Sequence, residues 1–360
     1  MSVALAQPVE PPPSQEEIEG LRRLVRGIVL AQGNLFIKEL LRSRKIKIGA
    51  TKAEFESNLL QAIDEGRLRL ADLSAWLDEV EGWGDQHVYL FKVPSTVQRR
   101  PLWSSADKVR ASVRDAGLEE LWNRETSLLF PAEPVLTGVS FDAAGRVLRL
   151  IWHEGSLGWV RVPERDRREE IDGDLYEFRA YRQRASRAVM RFEVRLQTGL
   201  AALFLSARIN DPEHEVAVEE AQSRSNQLFN LSELWQNPVI IANVIKNLDQ
   251  ATGKPDATRP AATPESVRLA HGGAYVEFAS LSVHRSYLES EAVRDARLAI
   301  KRTQLEKFIG LNGSFEFPKD ADLSRDVRVQ LFGETRRIRL WQQMKASEVW
   351  RILEILGGFQ

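Results

Sequence analysis

The chain has 360 residues and a mass of 40.9 kDa, which predicts two or so domains. With 43 % hydrophobic and 28 % charged residues it is globular, and its lack of cysteine excludes disulfides, cysteine nucleophiles, iron–sulfur clusters and the common zinc modules and favours an intracellular home. A net charge of −1 announces no nucleic acid by itself, and no apolar run approaches the ~18 residues of a membrane span, so a soluble, cytoplasmic protein without a membrane partner is expected.

Residues 1–13 end in three consecutive prolines and read as a disordered arm. Ser14-x-x-Glu17 is a capping box, and Ile18, Leu21, Val25, Ile28 and Val29 recur at helical spacing behind it. Gly33-Asn34 breaks that helix, and Leu35 to Arg44 predicts a second. Thr51-x-x-Glu54 is another capping box, opening a helix to Gly66. Further helices are predicted over Ala71 to Glu81 and Ser104 to Gly117. The reading is a helical domain over 14–125, interrupted only by a short apolar stretch, His87 to Val93.

Near Pro131 the period changes. Val135 to Phe141 and Val147 to Trp152 alternate around Asp142-Ala143-Ala144-Gly145, a hairpin signal. Alternation continues through Tyr176 to Arg182, Ala188 to Leu196 and the more apolar Leu200 to Ile209. An antiparallel meander followed by two helices is expected over 131–249. Residues 250–266 hold three prolines and little that is apolar, and read as a linker. A C-terminal lobe over 267–360 follows: strands at Ala274 to Leu281 and Ser314 to Phe317, a charged helix between them, a hairpin turning at Gly333-Glu334, and a last helix, Ser347 to Leu356. The fold class is therefore α+β, with a helical N-terminal domain, an antiparallel β-containing body and a smaller α/β lobe.

No nucleotide-binding glycine loop, metalloprotease helix or nucleophile elbow is present, and the five histidines show no ligand spacing. A non-enzymatic protein without metal or cofactor is expected; a metal-dependent nuclease assembled from distant carboxylates is the least favoured alternative. One segment is informative. Only twelve residues are lysine, against 38 arginines, yet Lys38, Lys45, Lys47 and Lys52 fall within fifteen positions. With Arg42 and Arg44 against Glu39 alone, that stretch carries a net charge of +5. Two helices meet there, and the second begins with backbone N–H groups at Gly49, Ala50 and Thr51. A helix N-terminus among lysines is suited to phosphate, so backbone contact to DNA is expected, including from Thr51. Lys45 and Lys47 flank an exposed turn, and Ile46 and Ile48 alternate with them and are expected to point inward. A protein–protein adaptor, with the basic loop on an acidic partner, is the main alternative.

The stretch Leu35 to Ile63 resembles the SAP motif, a DNA-binding helix–loop–helix, through Ile37-Lys38-Glu39-Leu40-Leu41, Gly49 to Phe55 and Leu59-Leu60, with one extra residue between glycine and lysine. A longer resemblance is to the centromere protein N family. It is carried by Leu21-Arg22-Arg23-Leu24, the Lys/Arg loop, Asp85 to Phe91, the strands around Val147 to Trp152, Lys307 to Ser314, and the closing strand and helix. That resemblance implies a basic groove for DNA between a helical and a β-containing domain, with Arg22, Arg23 and the 38–52 cluster as backbone contacts. The arginine skew points to a bacterial genome, so the family's histone contact is not carried over; chromosome or plasmid organisation, or recognition of foreign DNA, is the expected setting. A third basic set, Arg179, Arg182, Arg184, Arg187, Arg191 and Arg195, lies in the meander. Arg187, Arg191 and Arg195 share one parity and are expected to line its solvent side, with Arg187 and Arg191 as candidate DNA contacts in a groove onto the β domain; ordinary polar-out alternation is the alternative. Trp76, Trp152, Trp235, Trp341 and Trp350 sit in apolar periodicity and are expected in the core.

Overall fold

A computed structural model describes residues 15–27, 32–69, 72–73, 76–77, 80, 83–123, 133–206, 211–252, 262–271, 273–281, 285–302 and 308–360. The chain is α+β and forms two compact units. One comprises 1–78, 128–132 and 155–187; the other comprises 79–127, 133–154 and 188–360. The division falls inside two long strands.

The first unit begins with α1 (Gln15–Gly27), α2 (Asn34–Ser43) and α3 (Lys52–Asp64). Their apolar faces are buried as the helical period requires: Leu21, Leu24 and Val25; Phe36, Ile37, Leu40 and Leu41; Phe55, Leu59, Ala62 and Ile63. Both α1 and α2 pack on α3. Of the helix expected over 71–81, residues 72, 73, 76, 77 and 80 are described and helical, with Leu73, Trp76, Leu77 and Val80 buried.

The second unit is built on a ten-stranded antiparallel sheet. In chain order its strands are β1 (Gly84–Lys92), β2 (Val135–Asp142), β3 (Val147–Arg161), β6 (Tyr181–Arg195), β7 (Leu200–Ser206), β8 (Thr263–His271), β9 (Ala274–Ala279), β10 (Ile309–Phe317), β11 (Val327–Phe332) and β12 (Arg337–Gln343). The intervening β4 (Arg167–Ile171) and β5 (Asp174–Phe178) form a separate two-stranded hairpin in the first unit. Spatial order in the sheet is β2-β3-β6-β7-β1-β12-β11-β10-β8-β9. The expected meander is present as β2-β3-β6-β7.

Three expectations are corrected by this order. The stretch 87–93 does not interrupt a helical domain: β1 is a central strand, paired with β7 on one side and β12 on the other. Val88 and Leu90 enter one core, and Phe91 and Val93 the other, so apolar residues fall on both faces and the segment shows neither period. The helical domain therefore does not extend to 125. The C-terminal lobe is likewise no separate lobe, because β8 to β12 continue the same sheet. Nor is 250–266 a linker throughout. Residues 250–252 end a helix, Ala262 is buried, and 263–266 pair with β10. Pro264 is admitted to an interior strand because the register of β10 shifts between Ser314 and Phe315, opposite it. The expected arm, 1–13, and residues 253–261 lie outside the described residues.

Helices cover the sheet on both faces. One face carries α8 (Ile241–Thr252) and α10 (Ala346–Gly358): Val244, Ile245, Leu248, Trp350, Leu353 and Leu356 pack with Phe204, Val329, Leu331, Ile338 and Leu340. The other carries α4 (Ser95–Gln98), α5 (Ala106–Asp115), α6 (Asp211–Phe229) and α7 (Ser232–Trp235), whose Val97, Val109, Val113, Leu228, Leu234 and Trp235 meet Phe141, Phe192, Leu203 and Leu205. The remaining long helix, α9 (Glu291–Arg302), is tied to α8 by a buried ion pair, Arg297 to Asp249 at 2.8 Å. The β11–β12 turn lies so close to β10 that a Cβ on Gly333 would stand 1.9 Å from the carbonyl oxygen of Gly310. Among the described residues no helix is long and apolar enough to cross a membrane.

Candidate nucleic-acid interface

The +5 segment forms the end of α2, a tight turn and the start of α3. The turn is a Schellman closure: the Ile46 N–H donates to the Leu41 carbonyl at 2.8 Å and the Lys45 N–H to the Arg42 carbonyl at 3.1 Å. Lys45 adopts φ 53°, the left-handed region that this position assigns to glycine. Ile46 is buried and anchors the turn, together with the Asn58 side-chain amide, which donates to the Lys47 carbonyl at 2.9 Å.

The six cations do not form one patch. Arg44 pairs with Asp72 at 2.8 Å. Lys38 lies over the Phe55 ring, 5.9 Å from its centroid. The Lys52 ammonium donates to the Gln32 carbonyl at 3.1 Å. Arg42, Lys45 and Lys47 are exposed and make no ion pair with any described residue. On α1, Arg22 is held by Asp64 at 2.7 Å and Glu19 at 2.9 Å, and the hydrogen bond that it donates to Asp64 raises its guanidinium pKa. The side chain of Arg23 lies outside the described residues.

Two local expectations are corrected. Ile48 does not point inward; it is 39 % exposed, while Ile46 two residues before it is buried. The α3 N-terminus is not open to phosphate either. Thr51 caps it, its hydroxyl accepting the Glu54 N–H at 3.2 Å, and the Glu54 carboxylate reaches back to the Ala50 N–H at 2.7 Å. Gly49 has no side chain because its Cβ would fall 2.4 Å from Glu54 Cβ. The capping box that marks the helix in the sequence thus places a carboxylate where the phosphate was expected.

Arg191 does not line a solvent face. It is 4 % exposed, with its guanidinium 4.2 Å from the centroid of Trp83. It pairs across the sheet with Phe204, which packs edge-on against Trp83 and Trp350. Further along β6, Arg195 lies over Trp350 at 4.2 Å, and the buried Glu193 accepts from Arg149 and Arg195, each at 2.9 Å. Alternation on β6 separates polar from apolar, but aromatic rings cover the polar side as well. The side chains of Arg184 and Arg187 lie outside the described residues. Of the five tryptophans expected in the core, Trp76, Trp152, Trp235 and Trp350 are buried; Trp341 is 52 % exposed, with Arg339 stacked on it at 4.7 Å.

Scattered spacing in the sequence concealed one polar cluster. The rings of His87 and His214 lie 4.7 Å apart where β1 meets β12 and α6. Arg339 donates to His87 Nε2 at 2.7 Å and to Asp85 at 2.8 Å, while Arg337 lies 3.3 Å from His214 Nδ1. Burial lowers the Arg339 pKa, Asp85 opposes that shift and Arg337 adds to it. Cross-strand register brings this group together, pairing His87 with Arg339 and Tyr89 with Arg337, and no local motif records it. The second unit also holds a cavity of about 380 Å³ lined by Trp152, His153 and Met190 with Glu133, Glu154 and Glu220, whose carboxylates are ill suited to a phosphate. Among the described residues no group of three His, Cys, Asp or Glu side chains is placed to hold a metal. Compared with known proteins, the chain matches no family model and no curated protein.

Proposed function

We propose that this chain binds DNA without enzymatic activity, contacting the phosphate backbone through the α2–α3 turn, in chromosome or plasmid organisation or the recognition of foreign DNA. The observation that carries the reading is Lys45. A lysine occupies the left-handed Schellman position, exposed beside Arg42 and Lys47, where glycine would close the turn at lower backbone cost. Keeping a long cation there, with none of the three neutralised by a described acid, favours a ligand of opposite charge. The SAP-like spacing of α2 and α3 supports the same reading. The contact is narrower than the +5 count suggests, since Arg22, Arg44 and Lys52 already have partners and Glu54 fills the helix terminus. An acidic protein on the same turn is the alternative; the Glu54 carboxylate disfavours either anionic ligand at the α3 end.

Fluorescence anisotropy with duplexes of unrelated sequence at two salt concentrations tests this. The parent should bind them alike and weaken steeply with salt. Lys45→Ala with Lys47→Ala should weaken all of them to the same degree and reduce the salt slope by about one unit per lost contact. Unchanged affinity in the double variant would overturn the assignment of this turn.

A further inference from the structure

We infer that the β4–β5 hairpin is a docking finger for the basic turn of a second copy of this chain. The hairpin turns at Asp172-Gly173, with φ 53° and 88°, the Asp-Gly pattern of a tight two-residue turn. Its register pairs Arg167 with Phe178, Glu169 with Tyr176 and Ile171 with Asp174. Every side chain of both strands is exposed, including Ile171, Tyr176, Phe178 and Leu175, the last at 72 %. Two strands with no covered face bury too little to be stable alone, and the exposed apolar row calls for a partner surface.

Charge selects the partner. From Glu169 to Glu177 the hairpin carries five acids and no base. Arg167 and Arg179 lie 3.7 Å from Glu169 and Glu177 at the base of the finger. Glu170, Asp172 and Asp174, at its tip, make no ion pair with any described residue. A tip of this charge repels nucleic acid and attracts a basic surface with some apolar content. The same chain offers one: Arg42, Lys45 and Lys47, with Ile48 exposed beside them. Finger and turn are different surfaces, so the contact is head-to-tail and lets copies add in succession rather than close a symmetric pair. So small a contact is weak and salt-sensitive. It does not require DNA binding, although both would use the same turn, and DNA should then compete with it.

The test is sedimentation velocity of the full chain without DNA, from ~1 to ~100 µM, the range of weak complexes, at 0.1 M and 1 M salt, where the Debye length falls from about 10 Å to about 3 Å. The weight-average sedimentation coefficient should rise with concentration at low salt and return to the monomer value at high salt. Glu170→Lys with Asp174→Lys should abolish the rise, as should Lys45→Glu with Lys47→Glu; circular dichroism checks that both variants fold. Mixing the two variants should restore association, because each supplies the charge that the other lacks. A monomeric parent at every concentration, association that survives both reversals, or a mixture that stays monomeric overturns the inference. So does a finger that binds poly-lysine while the chain itself stays monomeric. None of these outcomes touches the DNA reading, which is measured by anisotropy.

Discussion

At Lys45 the backbone and the side chain have opposed interests. The left-handed conformation costs a non-glycine residue roughly 1–2 kcal/mol, and the hydrogen bonds of Ile46 and Lys45 to Leu41 and Arg42 maintain it. Lys45→Gly should therefore raise the stability of the chain by up to about 1 kcal/mol while weakening DNA binding, as read by urea unfolding and by anisotropy. Loss of stability, or DNA binding as tight as the parent's, would remove the reason for a lysine there. The residue scale is also where sequence reading fell shortest. A charge count treats every lysine and arginine as available, but availability depends on partners distant in sequence: Asp64 for Arg22, Asp72 for Arg44 and the Gln32 carbonyl for Lys52. Arg191 failed for another reason. Parity on a strand says which residues share a face, not whether that face is covered.

The elements of the first unit were legible because they carry local punctuation. A capping box starts α3, Gly33 precedes α2, and the 3.6-residue period gave Leu21 and Val25, Phe36, Leu40 and Leu41, and Phe55, Leu59 and Ile63 as buried. Strands with one polar face were legible too, as was the β11–β12 turn at Gly333-Glu334. Strands buried on both faces were not: β1 reads as an apolar run of no period, and the start of β8 is masked by prolines that a bulge accommodates. The β11–β12 turn carries a prediction of its own. Its Gly333 N–H donates to the Leu311 carbonyl at 2.7 Å, and the Gly310 carbonyl leaves no room for a Cβ. Gly333→Ala should destabilise the second unit by about 1–3 kcal/mol, the usual cost of overpacking. The check is the midpoint of thermal unfolding; an unchanged midpoint would mean that the turn moves freely away from β10.

For the whole molecule, one sheet replaces three expected divisions. Residues 84–92, 135–206 and 263–343 all contribute strands to it, and one core joins Val88, Leu90 and Phe204 to Val267, Phe315, Leu331 and Leu340. No local signal encodes that. β1 and β12 find each other across about 250 residues, and the match exists only in their register. Amide hydrogen exchange distinguishes the two architectures. An interior strand should protect Val267 and Leu269 as strongly as Val88 and Leu90. Fast exchange through 263–269 would restore a linker and separate the C-terminal strands from the rest.

The central place of β1 also sets a timetable for synthesis. Ribosomes deliver roughly 5–20 residues per second, so β1 emerges roughly 13–50 seconds before β12, the strand that flanks it on one side. During that interval it has an apolar row on each face and an unpaired hydrogen-bonding edge, the features that recruit wrong partners. α1, α2 and α3 have already emerged by then and pack among themselves. β1 thus keeps one edge open through most of synthesis, and dependence on chaperones should be greatest between the appearance of β7, which offers β1 its first edge, and that of β12, which closes the sheet.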